Sequence, residues 1–295
     1  MARLGLNTAV VGLLLAVLLF GSGPVEAAET KRLVVVGGAL TEIAYALGAG
    51  DRVVGVDSTS LWPPETERLP RVGYARVLAA EGILSLSPHM LLVSGDAGPP
   101  AVLQQIGAAG VPVHRVETED SAAGLQEKVR AVAALVGREA EGERLAAQLQ
   151  AEMDALAREV EARALRPRVA FLLSVGNGSH LASGRDTAAA AAIALAGGDN
   201  ALSAYSGYKP VSAEAMIAAA PDVLLTTRQS LERLGGTAGL LELPGVALTP
   251  AARMGRIEAM DSLFLLGFGP RTPAALRELA DRLDGRHGGP ALAGD

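Results

Sequence analysis

Glu139-Ala-Glu-Gly-Glu-Arg-Leu-Ala-Ala-Gln-Leu-Gln-Ala-Glu-Met-Asp-Ala-Leu-Ala-Arg-Glu-Val-Glu-Ala-Arg-Ala164 reads as one helical segment without proline. Leu145, Leu149, Leu156 and Val160 recur at helical spacing and make a single apolar stripe, with Glu and Arg filling the rest. Arg166-Pro167 is read as its stop. At about 1.5 Å per residue the segment runs roughly 40 Å, the span of a whole domain. An ordinary surface helix fits the pattern. A rigid connector between two lobes fits it too, and the flanking sequence favours the connector.

On both sides of the helix, apolar strands alternate with helical segments. Leu33-Val-Val-Val36 is a short buried strand ending at Gly37-Gly38, with a helix over Thr41 to Leu47 and a second strand at Arg52-Val-Val-Gly-Val56. Met90-Leu-Leu-Val93 and Val111 to Val116 are two more strands, and Ser121 to Val136 is helical, ending near Gly137. Beyond the connector, Arg168 to Ser174 is a strand, Asp186 to Leu195 an alanine-rich helix and Asp222 to Thr226 a strand. Arg256-Ile-Glu-Ala-Met260 reads as an edge strand, and Pro273 to Leu283 as a last helix with proline in its first turn. Such alternation argues for α/β units around mostly parallel sheets.

Two segments repeat across the connector. Glu81-Gly-Ile-Leu-Ser-Leu-Ser-Pro-His-Met-Leu-Leu92 and Glu214-Ala-Met-Ile-Ala-Ala-Ala-Pro-Asp-Val-Leu-Leu225 both place a proline seven residues after a glutamate. Each reads as a short helix that runs into proline and then into an apolar strand. Chance recurrence is the bland alternative, but one copy on each side of the connector argues for two lobes of like topology. The organisation expected is a leader over 1–27, a first α/β lobe over 28–137, the connector over 138–166, a second lobe over 167–284 and a tail over 285–295.

The leader follows from Arg3, the apolar run Val10 to Phe20 and Pro24-Val25-Glu26-Ala27, which offers small residues for a cut after Ala27. The run is well short of the roughly 18 or more apolar residues of a membrane span. The expected address is therefore the periplasm, as a free soluble chain. The chain has no cysteine, which excludes disulfides and cysteine-bound zinc or iron–sulfur centres. Formal charge is −6, with no basic block, so nucleic acid is not an expected partner.

With four histidines and four tyrosines in the chain, tyrosine oxygen is a leading candidate to touch a metal or metal chelate. Tyr74 stands out in Arg71-Val-Gly-Tyr-Ala-Arg76, with Arg76 spaced to lie beside it in a loop. Gly73-Tyr74-x-Arg76, Ala80-Glu81-Gly82, Leu84-Ser85-Leu86 and Leu265-Leu-Gly-Phe-Gly-Pro-Arg271 resemble the periplasmic heme-binding proteins of bacterial heme-uptake ABC transporters. Thr59-Ser-Leu-Trp-Pro-Pro64, Ala196-Gly-Gly-x-Asn-Ala201 and Leu243 to Pro250 fit the same family, so the likeness runs from about Arg32 to Leu283.

The resemblance implies two similar Rossmann-like lobes joined by one long backbone helix, with heme in the interlobe cleft. Tyr74 would be the axial ligand of heme iron. Ferric iron is a hard acid that suits a phenolate, and because a free phenol titrates near pH ~10 the iron and a nearby cation must drive the proton off. Arg76 would hydrogen-bond that phenolate or a propionate. His180, in Val175-Gly-Asn-Gly-Ser-His180, stands where some members use a histidine to help hold heme. Arg185 and Arg228 are candidates for propionates, while Tyr208 and Trp62 are candidate walls. For each of these the bland reading is a surface or packing role. Glu81 and Glu214 match the two glutamates that, in this superfamily, dock on arginines of the membrane permease dimer. As an exposed pair they would set orientation more than affinity. An outer-membrane heme receptor system upstream and a monomeric state complete the expectation.

Three rivals share some features. Val34-Val-Val-Gly-Gly38 followed by Asp57 looks like a dinucleotide site, but the third glycine of the fingerprint is missing. Zinc or manganese binding would gather histidines, whereas His89, His114, His180 and His287 show no ligand spacing. A ferric siderophore or cobalamin would use the same frame. No nucleophile–base pair stands out, so capture and delivery rather than catalysis is expected.

Overall fold

The computed structural model describes residues 31–175 and 180–285. The leader and its cut after Ala27, the glycine-rich residues 176–179, and the tail from 286 with His287 lie outside the described residues.

The first half of the chain runs β1 (Leu33–Val36), α1 (Gly38–Ala46), β2 (Val53–Val56), a small hairpin of β3 (Gly73–Tyr74) and β4 (Val77–Leu78), α2 (Ala80–Leu84), β5 (Met90–Ser94), α3 (Pro100–Ala108), β6 (Val113–Val116) and α4 (Ala122–Val136). Its sheet is parallel throughout, in the order β2-β1-β5-β6. Both sheet faces are covered, because β1 sends Leu33 and Val35 into one core and Val34 and Val36 into the other. That is why its strands read as continuous apolar runs.

After α5 (Glu139–Glu161) come β7 (Arg168–Ser174), β8 (His180–Ser183), α6 (Ala188–Leu195), β9 (Asp199–Asn200), β10 (Tyr208–Lys209) and α7 (Ala213–Ala219). They are followed by β11 (Val223–Thr227), α8 (Arg228–Arg233), α9 (Thr237–Leu241), α10 (Pro250–Arg253), β12 (Ile257–Met260), α11 (Ser262–Leu266) and α12 (Thr272–Leu283). The second sheet has the order β10-β8-β7-β11-β12, with β9 also beside β7. β7, β11 and β12 are parallel, and β12 is an edge, as expected. The sheet is less parallel than the sequence implies, since β8 lies antiparallel to β7 and β10 to β8. Again both faces are buried: Val169 and Phe171 enter one core, Ala170 and Leu172 the other.

Helix α5 links the two cores. Its early turns bury Ala146 and Leu149 against the first lobe, and its later turns bury Met153, Leu156 and Val160 against the second. Each large apolar side chain buried this way contributes about 1.5–3 kcal/mol relative to exposure, so both lobes hold the helix. It ends at Glu161 rather than Ala164, ahead of Pro167. Arg163 there turns to ion-pair with Asp281 and Asp284 of the α12 region. The alanine-rich helix also starts later than the sequence suggests. Asp186 takes a left-handed φ of 59°, and Thr187 caps α6.

The repeat extends to individual hydrogen bonds. Ser87 and Ala220, each just before the repeat proline, both take left-handed φ, 45° and 39°. Arg32 donates to Leu86 O at 2.7 Å at the end of α2, and Arg168 donates to Ala219 O at 2.7 Å at the end of α7. His89 N donates to Arg32 O, and Asp222 N donates to Arg168 O, both at 2.8 Å. In each lobe a cation takes carbonyls at or just past the C-terminal end of the short helix that carries the repeat glutamate in its first turn, the favourable end of its dipole.

Candidate functional site

The Tyr74 hairpin is strapped over the C-terminal ends of the first sheet. Ser58 N donates to Gly73 O at 2.8 Å, and Gly98 N donates to Ala75 O at 2.9 Å. Gly73 has φ +105°, a conformation that glycine adopts without strain. Ala75 is buried, so its neighbours Tyr74 and Arg76 point outward, and Tyr74 is 44% exposed. Arg76 Nη2 meets Asp96 Oδ2 at 2.8 Å, and Ser94 Oγ donates to Asp96 Oδ1 at 2.7 Å. Burial opposes the charge on Arg76, but Tyr74, Asp96 and Tyr208 outweigh it and hold the guanidinium above its usual pKa. Burial likewise pushes the Asp96 carboxyl up, and the bonds from Ser94 and Arg76 overcome it, leaving the group below the usual range.

Tyr208 faces this group from the second lobe. It is half-buried, edge-on to Phe171 at 6.3 Å between ring centres. Burial raises its pKa and the charge of Asp120 adds to that, whereas hydrogen bonds with the Ala189 backbone and the Thr187 side chain, and the charge of Arg76, oppose it. Tyr74 and Tyr208, one from each lobe, are therefore both near enough to act on the charge of Arg76. Nearby, Lys128 is buried on α4 and donates from Nζ to Phe268 O at 3.1 Å. Burial lowers its pKa, and Asp120 opposes that shift.

Trp62 and Arg228 also meet, from opposite lobes. They line one pocket of about 260 Å³ together with Asp261, Phe264 and Arg271. The loop that presents Trp62 is pinned by Asp57, a buried carboxylate that accepts from Gly37 N at 2.9 Å, Ser60 Oγ at 2.6 Å, Thr59 N at 3.0 Å and Thr59 Oγ1 at 2.6 Å. Four bonds occupy both of its oxygens, so the acid that a dinucleotide reading requires is engaged by its own loop and by Gly37. Among the described residues, no group of three or more His, Asp or Glu side chains gathers to hold a metal ion, and no helix is long and apolar enough to cross a membrane.

His180 opens strand β8 opposite Ser174 and is exposed, rather than sitting in a loop. Arg185 is directed elsewhere: its Nη1 donates to Ser203 O at 2.8 Å, and its backbone pairs with Tyr205 and Gly207, bracing the loop that leads to Tyr208. Glu81 and Glu214 are exposed in the first turns of α2 and α7. Glu214 is held below the usual glutamate range by its own backbone N–H and the Ser212 hydroxyl.

Sequence reasoning missed Asp96, Asp120, Lys128 and the pairing of Arg271 with Glu42. Lys128 carried a signal, because it lies on the same face of α4 as Leu125, Val129 and Val132, where a solvated charge does not belong. Asp96 and Glu42 carried none.

Two α/β lobes that present facing side chains across one cleft define a two-lobed binding protein. The chain belongs to the periplasmic binding protein family, whose model matches residues 33–263. Among solved structures it is similar to the periplasmic heme-binding protein RhuT from Roseiflexus sp. RS-1 in apo form, at 47% identity over 86% of this chain and 97% of that one, TM-score 0.83. It is similar to the periplasmic heme-binding protein BhuT in complex with two hemes, at 42% identity over 86% and 98%, TM-score 0.82. A periplasmic heme-binding protein from Pseudomonas aeruginosa matches at 34% identity over 86% and 92%, TM-score 0.80. Curated relatives include the vitamin B12-binding protein of Yersinia pestis (strain Pestoides F), 33% identical over 98 residues. That match spans 33% of this chain and about a third (35%) of the relative's length.

Proposed function

We propose that this protein captures heme in the periplasm and delivers it to the permease of an inner-membrane ABC transporter. The observation that carries the reading is Tyr74, a solvent-facing phenol beside Arg76 and across from Tyr208, in a chain whose full-length structural neighbours are named as heme-binding. Tyr74 serves as the axial oxygen ligand of ferric heme iron, the hard-acid partner a phenolate suits. Arg76 stabilises the phenolate or pairs with a propionate. Trp62 and Tyr208 wall the macrocycle, Arg228 is a cation for its carboxylates, Arg185 braces the loop that carries Tyr208, and His180 offers a nitrogen from the second lobe. Lobes over 28–137 and 167–284, joined by the connector over 138–166, hold the heme between them with only small movement on binding. The leader is removed near Ala27, and the mature chain acts as a monomer supplied by an outer-membrane heme receptor system.

Hemin titration followed by absorbance tests the reading. The wild type should give a ferric tyrosinate spectrum, and Tyr74→Ala should lose it while the fold, followed by circular dichroism, persists. An unchanged spectrum in Tyr74→Ala removes Tyr74 from the site. Cobalamin, the ligand named for the curated relatives, is the control, and a response to cobalamin but not to hemin would replace heme as the cargo. Glu81 and Glu214 dock on permease arginines, one from each lobe. The variant Glu81→Ala with Glu214→Ala should bind hemin normally yet fail in transport; normal transport would remove the docking role.

A further inference from the structure

The closing motif Leu265–Arg271 has no role in heme capture as described above, yet it makes contacts that cross between the lobes. Arg271, just before α12, donates from Nε to Glu42 Oε2 at 3.0 Å and from Nη2 to Glu42 Oε1 at 2.5 Å. Glu42 lies on α1 of the first lobe, and its side chain is only 4% exposed. The same guanidinium sits 4.7 Å from the ring centre of Trp62, of the first lobe, and 5.2 Å from that of Phe264, of the second. The residues leading to it press on the first lobe as well. Phe268 is buried, takes a left-handed φ of 50°, and its carbonyl accepts from Lys128 of α4. At Gly269, an added Cβ would come within 3.3 Å of Glu42 Oε2 and 3.4 Å of Ala39 Cα.

A guanidinium offers a hydrogen-bonding fork and two flat faces. Here a carboxylate takes the fork and aromatic rings lie over the plane. Trp62 is 42% exposed even with that cation in place, and it lines the pocket that Arg228 shares. Asp57 pins the backbone of the Trp62 loop, and the stacked cation holds the ring itself.

We propose that Arg271 is a positioning residue for ligand capture: anchored on Glu42, it fixes Trp62 as a wall of the cleft and sets the spacing between the lobes. A merely structural ion pair would contribute to stability but leave Trp62 unaffected in the folded protein.

Trp62 is the sole tryptophan of the chain, so intrinsic fluorescence reports on it alone. The test variant is Arg271→Met with Glu42→Met, which leaves no buried charge unpaired and so preserves folding. Arg271→Lys is the conservative companion, keeping the charge but not the planar fork. In the folded double variant, acrylamide quenching of Trp62 should rise about twofold as one ring face is uncovered. Hemin dissociation should quicken about tenfold, with association little changed and the tyrosinate spectrum retained. Arg271→Lys should not restore the shielding of Trp62. Unchanged quenching in the folded double variant would overturn the proposal, and so would full shielding in Arg271→Lys. The dissociation measurement rests on the heme reading. If the wild type bound no hemin, that reading would fall, while the quenching measurement would still decide the role of Arg271.

Discussion

Two arginine–carboxylate pairs stand at the cleft, alike in chemistry and opposite in setting. Arg76 and Asp96 belong to one lobe, and their side chains are 62% and 51% exposed. Arg271 and Glu42 join two lobes, and theirs are 29% and 4% exposed. In water an exposed pair contributes about 0–1 kcal/mol, so Arg76 can turn from Asp96 toward a ligand at little cost. A buried pair gains little over apolar packing, but removing one partner strands a charge in a poor dielectric. The first pair is thus suited to exchange its partner when cargo arrives, and the second to hold the walls that cargo meets.

The largest effect that separates them is on stability. Arg271→Met alone should destabilise the protein by about 2 kcal/mol in urea unfolding, seen as a lower midpoint at unchanged slope. That falls short of the ~3–5 kcal/mol usual for a stranded buried charge, because Glu42 can relieve itself by taking up a proton. Asp96→Asn should change stability by less than about 0.5 kcal/mol, while hemin affinity shifts within roughly threefold as Arg76 loses its resting partner. A stability loss in Asp96→Asn as large as that in Arg271→Met would erase the distinction.

How far the sequence reveals these features follows from distance along the chain. The connector is legible because its apolar period is local, and the repeat because Glu81 to Pro88 and Glu214 to Pro221 keep one spacing. The matching roles of Arg32 and Arg168 were within reach, since each stands at the start of the first strand of its lobe, Arg32 just before β1 and Arg168 opening β7. Tyr74 with Arg76 is legible as a motif, but Asp96 is not, because its approach depends on how the hairpin lies over β5. Glu42 and Arg271 are 229 residues apart in sequence and meet only once both lobes are built. Strand β8 escaped notice because glycines precede it and its four residues are too few to show a period. A single cation on an apolar helix face, as at Lys128, is the one hint of interlobe contact that sequence alone carries.

The smallest effect gives the sharpest contrast, because the two pairs should respond to pH with opposite sign. Burial raises the pKa of Glu42; Arg271 opposes the shift without cancelling it, and the charge of Asp261 adds to it. A carboxyl whose folded pKa lies above its unfolded value binds protons more readily in the folded state. Its stabilising share is complete below the ordinary glutamate range and is lost as pH rises through the raised value. The stability of the wild type relative to Glu42→Gln should therefore fall as pH rises above the ordinary glutamate range. Asp96 runs the other way: its folded pKa is depressed, so its share is present above the ordinary aspartate range and lost as pH falls. With that pair exposed, the stability of the wild type relative to Asp96→Asn should rise with pH by only a fraction of about 1 kcal/mol. Protonating Glu42 also removes the charged acceptor from the Arg271 fork, so Trp62 quenching should increase as pH falls even though the fold gains stability from that group. Urea unfolding of the wild type and both variants across and above these carboxylate ranges, with Trp62 quenching measured in parallel, decides the matter. Slopes of the same sign for the two pairs would mean that burial does not separate them.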